Sequence, residues 1–285
     1  MSLWEAALLG VVQGLTEFLP ISSTAHLLVV QKLLHPDQDV KDNPFTVIVQ
    51  LGTLVAVLIY FWKDIYTLTR AVVTETLAKR FAASPESRMA WLIVLGTVPV
   101  VIVGGLFHSW LKATFYNVPA MAWVAIVFAL LMAAAEVWAH FRRKPKVEEV
   151  GIRWPHAVWI GLWQALALMP GASRSGTTIS GGLFAGISRP AAARFSFLLS
   201  LPAVFAAGVK ELYDAAKKPD GLFSSSDDLL ALGVGLVVSA VVGYASIAVL
   251  LRFLKRYSMT VFIVYRLLLG VGLLVLLWQG VLSSK

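Results

Sequence analysis

The sequence predicts an all-α polytopic membrane protein, with six transmembrane helices plus two re-entrant helical hairpins in an inverted-topology repeat. Three observations predict it: an apolar composition, a series of apolar stretches mostly of membrane-crossing length, and two stretches broken at matching positions by small polar residues. Of 285 residues, 58% are hydrophobic and 14% charged, with mean hydropathy +0.78. That leaves too little polar surface to coat a soluble globule of this size.

The apolar stretches cover 3–35, 45–62, 89–108, 118–140, 155–187, 191–209, 228–251 and 260–280. Most reach the roughly 17–25 residues that cross ~30 Å of hydrocarbon as helix. Strands are not expected, because barrel strands alternate apolar and polar residues whereas these runs are continuous. The stretches at 3–35 and 155–187 differ from the rest, each holding a proline followed by a cluster of hydroxyl residues.

Those two segments head an internal repeat. Gly10, Gln13 and Leu15 match Gly161, Gln164 and Leu166 at an offset of 151, and Pro20 and Ser23 match Pro170 and Ser173 at 150. Phe45, Leu51 and Ala56 then face Phe195, Leu201 and Ala206, and Leu95-Gly96 echoes in Leu232-Gly233. The chain reads as a single membrane domain over 1–285 with repeats at 1–140 and 155–280. If each broken segment crossed, the halves would be parallel; if each dips in and returns, they are inverted. The limbs favour dipping, since residues 3–18 and 23–35 would be only ~24 Å and ~20 Å long as helices. Lys and Arg counts favour it marginally, placing loops 63–88, 141–154 and 252–256 on the cytoplasmic side and both termini outside.

Several function classes drop out. A net charge of +8 would suit nucleic acid, but the basic residues lie in short loops between spans, so no nucleic-acid partner is expected. The absence of cysteine removes disulfides, thiolate metal sites and cysteine nucleophiles. No cleavable signal is expected, because the first segment lacks a basic start and an A-x-A site. Trp62, Trp110 and Trp278 read as interfacial anchors, and Gly104-Gly105, Gly181-Gly182 and Gly186 as close helix packing.

Chemistry concentrates in the breaks. The first, GVVQGLTEFLPISSTAH from Gly10 to His26, sets Gln13 and Glu17 at i and i+4 on one helical face. An intramembrane carboxylate is costly, so Glu17 should face a cavity or a partner. Ser22 and Ser23 start the second limb, where free amides and the positive end of the helix dipole make an anion site. His26, one turn beyond Ser23, is within reach as a general base for a hydroxyl. The second break, PGASRSGTT from Pro170 to Thr178, adds a cation. Arg174, among Ser173, Ser175, Thr177 and Thr178 at a helix start, suits bidentate phosphate binding. The plain alternative is an ion pair with Glu17 or Glu136 and no ligand. Glu136 and Arg266 are further intramembrane charges, either lining the cavity or structural.

With these residues on the page, the two motifs resemble the signature regions of the bacterial undecaprenyl-diphosphatase family, the bacitracin-resistance membrane phosphatases. The likeness covers essentially the whole chain. It implies hydrolysis of undecaprenyl diphosphate to the monophosphate and inorganic phosphate, recycling the lipid carrier for cell-wall synthesis. It also implies the six spans and two re-entrant hairpins, a bacterial inner-membrane location, a site open to the outer face, and dependence on Mg2+ or Ca2+. Bacitracin would compete for the same substrate, and a homodimer is compatible with the reading.

Carried over residue by residue, Gln13 and Glu17 fill the family's (E/Q)xxxE pair and become the implied metal ligands. Ser23 and His26 fill its SSTxH element, beside Ser22; Ser173, Arg174, Ser175 and Thr178 fill its PGxSRSxxT element. Gln13 stands where many members carry glutamate, and Ala25 where glycine is frequent. In the expected mechanism Arg174 and the helix ends hold the diphosphate while Glu17, with Gln13, positions the metal. Ser23 attacks with His26 as base; a histidine nucleophile or water would use the same residues. The rival class is a secondary transporter with Arg174 as anion clamp, and a combined phosphatase and flippase fits the same topology.

Overall fold

The computed structural model describes residues 1–35, 45, 48–142, 147–217 and 226–280. Their secondary structure is helical: α1 (Leu3–Phe18), α2 (Ser23–Leu34), α3 (Gln50–Tyr60), α4 (Trp62–Leu77), α5 (Pro85–Phe115), α6 (Val118–Phe141), α7 (Trp154–Leu166), α8 (Arg174–Phe184), α9 (Arg189–Ala216), α10 (Ser226–Leu254) and α11 (Thr260–Trp278). Among the described residues the only extended pairing is an isolated parallel bridge between Val147 and Ile187.

Local chemistry sets the ends of these helices. A capping box opens α1, with Ser2 N donating to Glu5 at 2.8 Å and Glu5 N to the Ser2 hydroxyl at 3.4 Å. The helix stops at Leu19, which is extended at φ −65°, ψ 141° because it precedes Pro20. Ser84 and Asn117 cap α5 and α6 by accepting from Ser87 N and Ala120 N.

Among the described residues five helices, α5, α6, α9, α10 and α11, are long and apolar enough to cross a membrane, so the chain is a multi-pass membrane protein. A sixth crossing exists if α3 and α4 count together, although they bend by 74° at Phe61. The stretch beginning at residue 45 lies partly outside the described residues. The expected loop at 63–88 instead contains α4, whose Ile65 and Leu68 pack on the core while Tyr66, Val73 and Leu77 are exposed. That one-sided pattern is what makes it helical in spite of its polarity. Trp62, Trp110 and Trp278 are exposed.

The broken segments become the short pairs α1–α2 and α7–α8, of 16, 12, 13 and 11 residues. Within each pair the two helices pack on one another. α1 also runs along α10 and α7 along α5, while α6 pairs with α11, and α3 packs on α10 and, less extensively, on α9. α8 lies between α6, α7 and α9, with Ser175 through Leu183 buried. The largest core cluster surrounds Phe18, Phe61, Phe195 and Phe197, and Phe18 meets Phe197 edge-on at 5.5 Å.

Close helix approach occurs at Gly181 and Gly182, where an added Cβ would meet Trp163 and Ala192 at 2.6 Å. The Gly104-Gly105 pair is different, because Gly105 faces open space and a Cβ on Gly104 would meet only Leu168 at ordinary contact distance. The tighter contact on that helix is Gly96, whose carbonyl oxygen lies 2.4 Å from where a Gly161 Cβ would stand. Gly161→Ala must therefore push α7 from α5, backbone against side chain. We expect a loss of about 1–3 kcal/mol, seen as a lower midpoint of thermal unfolding of the detergent-solubilised protein.

Candidate anion site between the two breaks

Both breaks use the same unusual backbone. Ser22 has φ 74° and ψ 97°, and Ser173 has φ 65° and ψ 112°, a left-handed region that costs a non-glycine residue of order 1–3 kcal/mol. Each serine is the N-cap of the helix that follows. Ser173 accepts from Gly176 N at 3.3 Å, whereas the Ser22 side chain makes no capping bond, leaving the first amides of α2 without that partner.

Glu17, in the last turn of α1, links the halves. Its Oε1 accepts from Arg174 Nη2 at 2.7 Å; its Oε2 accepts from the Ser23 hydroxyl at 2.8 Å and from Gln13 Nε2 at 2.9 Å. The ion pair is largely enclosed, with side-chain exposures of 16% for Arg174 and 10% for Glu17. The paired alternative for Arg174 is therefore real, yet incomplete. Among the described residues its Nη1 is buried without a hydrogen-bond partner, as is Gln13 Oε1.

Arg266 holds the breaks in position from behind. With no exposure, it donates Nη1 to Ala172 O at 2.8 Å and Pro20 O at 3.4 Å, and Nη2 to Gly171 O at 2.8 Å and Ala125 O at 3.4 Å. Ser175 adds a second tie by donating to Leu19 O at 3.1 Å. Carbonyls freed where the helices break thus find donors inside the protein, as an apolar surrounding requires.

An open cavity of about 190 Å³ lies at the junction. Glu17, Ser22, Ser23, Ser173, Arg174 and Gln164 form its polar wall, and Val100, Leu168, Ala203, Val204 and Ala207 its apolar wall. A charged head with a hydrocarbon neighbour fits such a lining.

Other sequence-selected residues stand elsewhere. Thr178 donates to Arg174 O at 2.7 Å and meets the Ser196 hydroxyl, and with Ser175 it fixes the start of α8 instead of facing the cavity. His26 does not bond Ser23. Its Nδ1 donates to Ser22 O at 2.6 Å, which leaves Nε2 to accept from the Tyr265 hydroxyl at 2.6 Å, with the rings stacked at 5.6 Å. In this arrangement Glu17, and not His26, accepts the Ser23 proton. Glu136 is bound by Arg189 and by Met259 N at 2.8 Å, a structural role away from the cavity.

Two residues of this region, Tyr265 and Gln164, carry no motif in the sequence. Nothing marks Tyr265 in an apolar helix, whereas Gln164 was visible as the repeat mate of Gln13. Among the described residues no cluster of three or more His, Asp or Glu is arranged to hold a metal.

A model of the family described as "Bacitracin resistance protein BacA" matches residues 6–272. A protein of Chlorobium phaeobacteroides (strain BS1) named undecaprenyl-diphosphatase is 49% identical, covering 100% of both chains. Proteins of the same name from Prosthecochloris aestuarii and Chlorobium phaeovibrioides are 48% and 49% identical, covering 98% and 99% of this chain and 99% of each relative.

Proposed function

This chain belongs to the bacitracin resistance protein BacA family, and from that premise we propose that it is an integral-membrane undecaprenyl-diphosphatase. It converts undecaprenyl diphosphate to undecaprenyl phosphate and inorganic phosphate, so bacitracin, which competes for that lipid, is met by faster recycling. The observation that carries the reading is the convergence of Arg174, Glu17 and Ser23 on one cavity with an apolar wall, Arg174 Nη1 having no hydrogen-bond partner among the described residues and so available to a phosphate oxygen.

The terminal phosphate enters against Arg174 Nη1 and the amides of α2. Glu17 takes the Ser23 proton as the Ser23 oxygen bonds the terminal phosphorus. The bond from phosphorus to the bridging oxygen breaks, and undecaprenyl phosphate leaves. Water then cleaves the phosphoserine to give inorganic phosphate and return the proton to Ser23. Water as the direct attacker would use the same base and the same clamp. Stopping turnover with acid and mapping covalent phosphate separates the two, Ser23 being the expected position.

The site also fits a hard divalent cation, Mg2+ or Ca2+. Gln13, whose Nε2 bonds the Glu17 carboxylate, has a buried Oε1 without a partner among the described residues, which gives two oxygen donors of the kind such ions take. Bound there, the cation supplies neutralisation of phosphoryl charge. Phosphate release from a long-chain prenyl diphosphate should stop with chelator and return with Mg2+ or Ca2+. Release that persists unchanged in chelator contradicts the metal assignment, and no release with any metal contradicts the enzyme.

The same reading takes α1–α2 and α7–α8 as re-entrant hairpins of an inverted repeat, with both termini and the cavity mouth on the outer face of the inner membrane. The short limbs support it. So does reciprocal packing: α1 runs along α10 of the second half and α7 along α5 of the first.

A further inference from the structure

Gln164 lies on α7 one turn before the second break and is 1% exposed, and it lines the cavity with Arg174 and Glu17. Neither its Nε2 nor its Oε1 has a hydrogen-bond partner among the described residues. Leaving a buried donor and acceptor unmade is costly, so the fold gains nothing from an amide there that leucine would not improve.

The repeat shows why this amide is free. Gln13 occupies the matching position in the first half, and its Nε2 is held by Glu17, four residues on, and by Thr53 at 3.4 Å. Four residues after Gln164 stands Leu168, which offers no acceptor. One glutamine is therefore committed to organising the carboxylate, and the other is left with both ends unused beside an unpartnered guanidinium nitrogen.

We propose that Gln164 is a phosphate-binding residue, its Nε2 donating to a phosphoryl oxygen of the diphosphate next to the one taken by Arg174 Nη1. Its Oε1 accepts from water in the same cavity. A neutral amide suits this place, because it adds a donor without a second charge to compete with Glu17 for Arg174. The proposal rests on the diphosphatase reading for its substrate, but the anion chemistry stands by itself.

The test uses the purified full-length chain, its Gln164→Leu variant, a long-chain prenyl diphosphate as substrate and inorganic phosphate as ligand. Gln164→Leu should raise KM and the inhibition constant for inorganic phosphate about tenfold, the loss expected for a hydrogen bond to a charged group. Its thermal midpoint should be equal to or above wild type, a combination that a packing role does not produce. Gln164→Glu should bind phosphate more weakly still, through like-charge repulsion. Unchanged phosphate affinity with a lowered midpoint overturns the proposal, and so does failure of both Gln164→Leu and Gln164→Met to fold. If the wild type releases no phosphate, the diphosphatase reading fails; stabilisation of wild type against Gln164→Leu by inorganic phosphate still decides the role of Gln164.

Discussion

Arg174→Ala should cut phosphate release from a prenyl diphosphate about a thousandfold or more, the scale seen when a transition-state guanidinium is removed from phosphoryl transfer. Arg174 does two things at once. Nη2 neutralises Glu17 at 2.7 Å while Nη1 has no partner among the described residues and is the proposed contact for the substrate, so alanine should lose the clamp and strand a carboxylate of 10% exposure. Breaking a buried pair from one side typically costs about 3–5 kcal/mol, so the single variant should also be less stable. Combining it with Glu17→Gln separates the effects: the double variant should regain thermal stability and remain inactive. Arg174→Lys keeps the charge but cannot fork between Glu17 and a phosphate oxygen, and should retain only a small fraction of turnover. Turnover above a tenth of wild type in Arg174→Ala would place the clamp elsewhere.

Arg266→Met is the second large effect, and its signature is opposite to that of Gln164→Leu. Arg266 makes no ion pair among those seen in the described residues; its acceptors are the carbonyls of Pro20, Gly171, Ala172 and Ala125. Methionine fills similar space but leaves several buried carbonyls unmade, at about 1–3 kcal/mol each, partly recovered by entering water. The expected net loss is roughly 2–5 kcal/mol. Because the same carbonyls fix the breaks that present Ser23 and Arg174, activity and thermal midpoint should fall together, whereas Gln164→Leu lowers affinity alone. A wild-type midpoint with reduced turnover in Arg266→Met would mean that Arg266 acts on substrate directly.

The sequence exposed whatever depends on cost. An apolar run announces a span, a proline and serines inside it announce a break, and a glutamate and an arginine at those breaks demand partners; Glu17 and Arg174 indeed meet across the repeat. What depends on side-chain direction was hidden. Ser175 and Thr178 sit in the right motif, but their hydroxyls turn to Leu19 O and Arg174 O. His26 follows Ser23 by three residues, yet its ring is held by Ser22 O and by Tyr265, a residue 239 positions away. Arg266 was visible as a buried charge but not as a staple, because carbonyl acceptors leave no trace in residue type. Gly105 carries the packing motif without the packing, since its face of α5 opens outward.

The central claim is that one anion is held by both breaks together. Hydrogen–deuterium exchange measures this directly at the opening turns of α2 and α8, with and without a non-hydrolysable prenyl diphosphate. The account predicts slowed exchange at the amides of residues 23–26 and 174–177 alike, lost in Arg174→Ala. Protection confined to one of the two turns, or the same in Arg174→Ala, would contradict it.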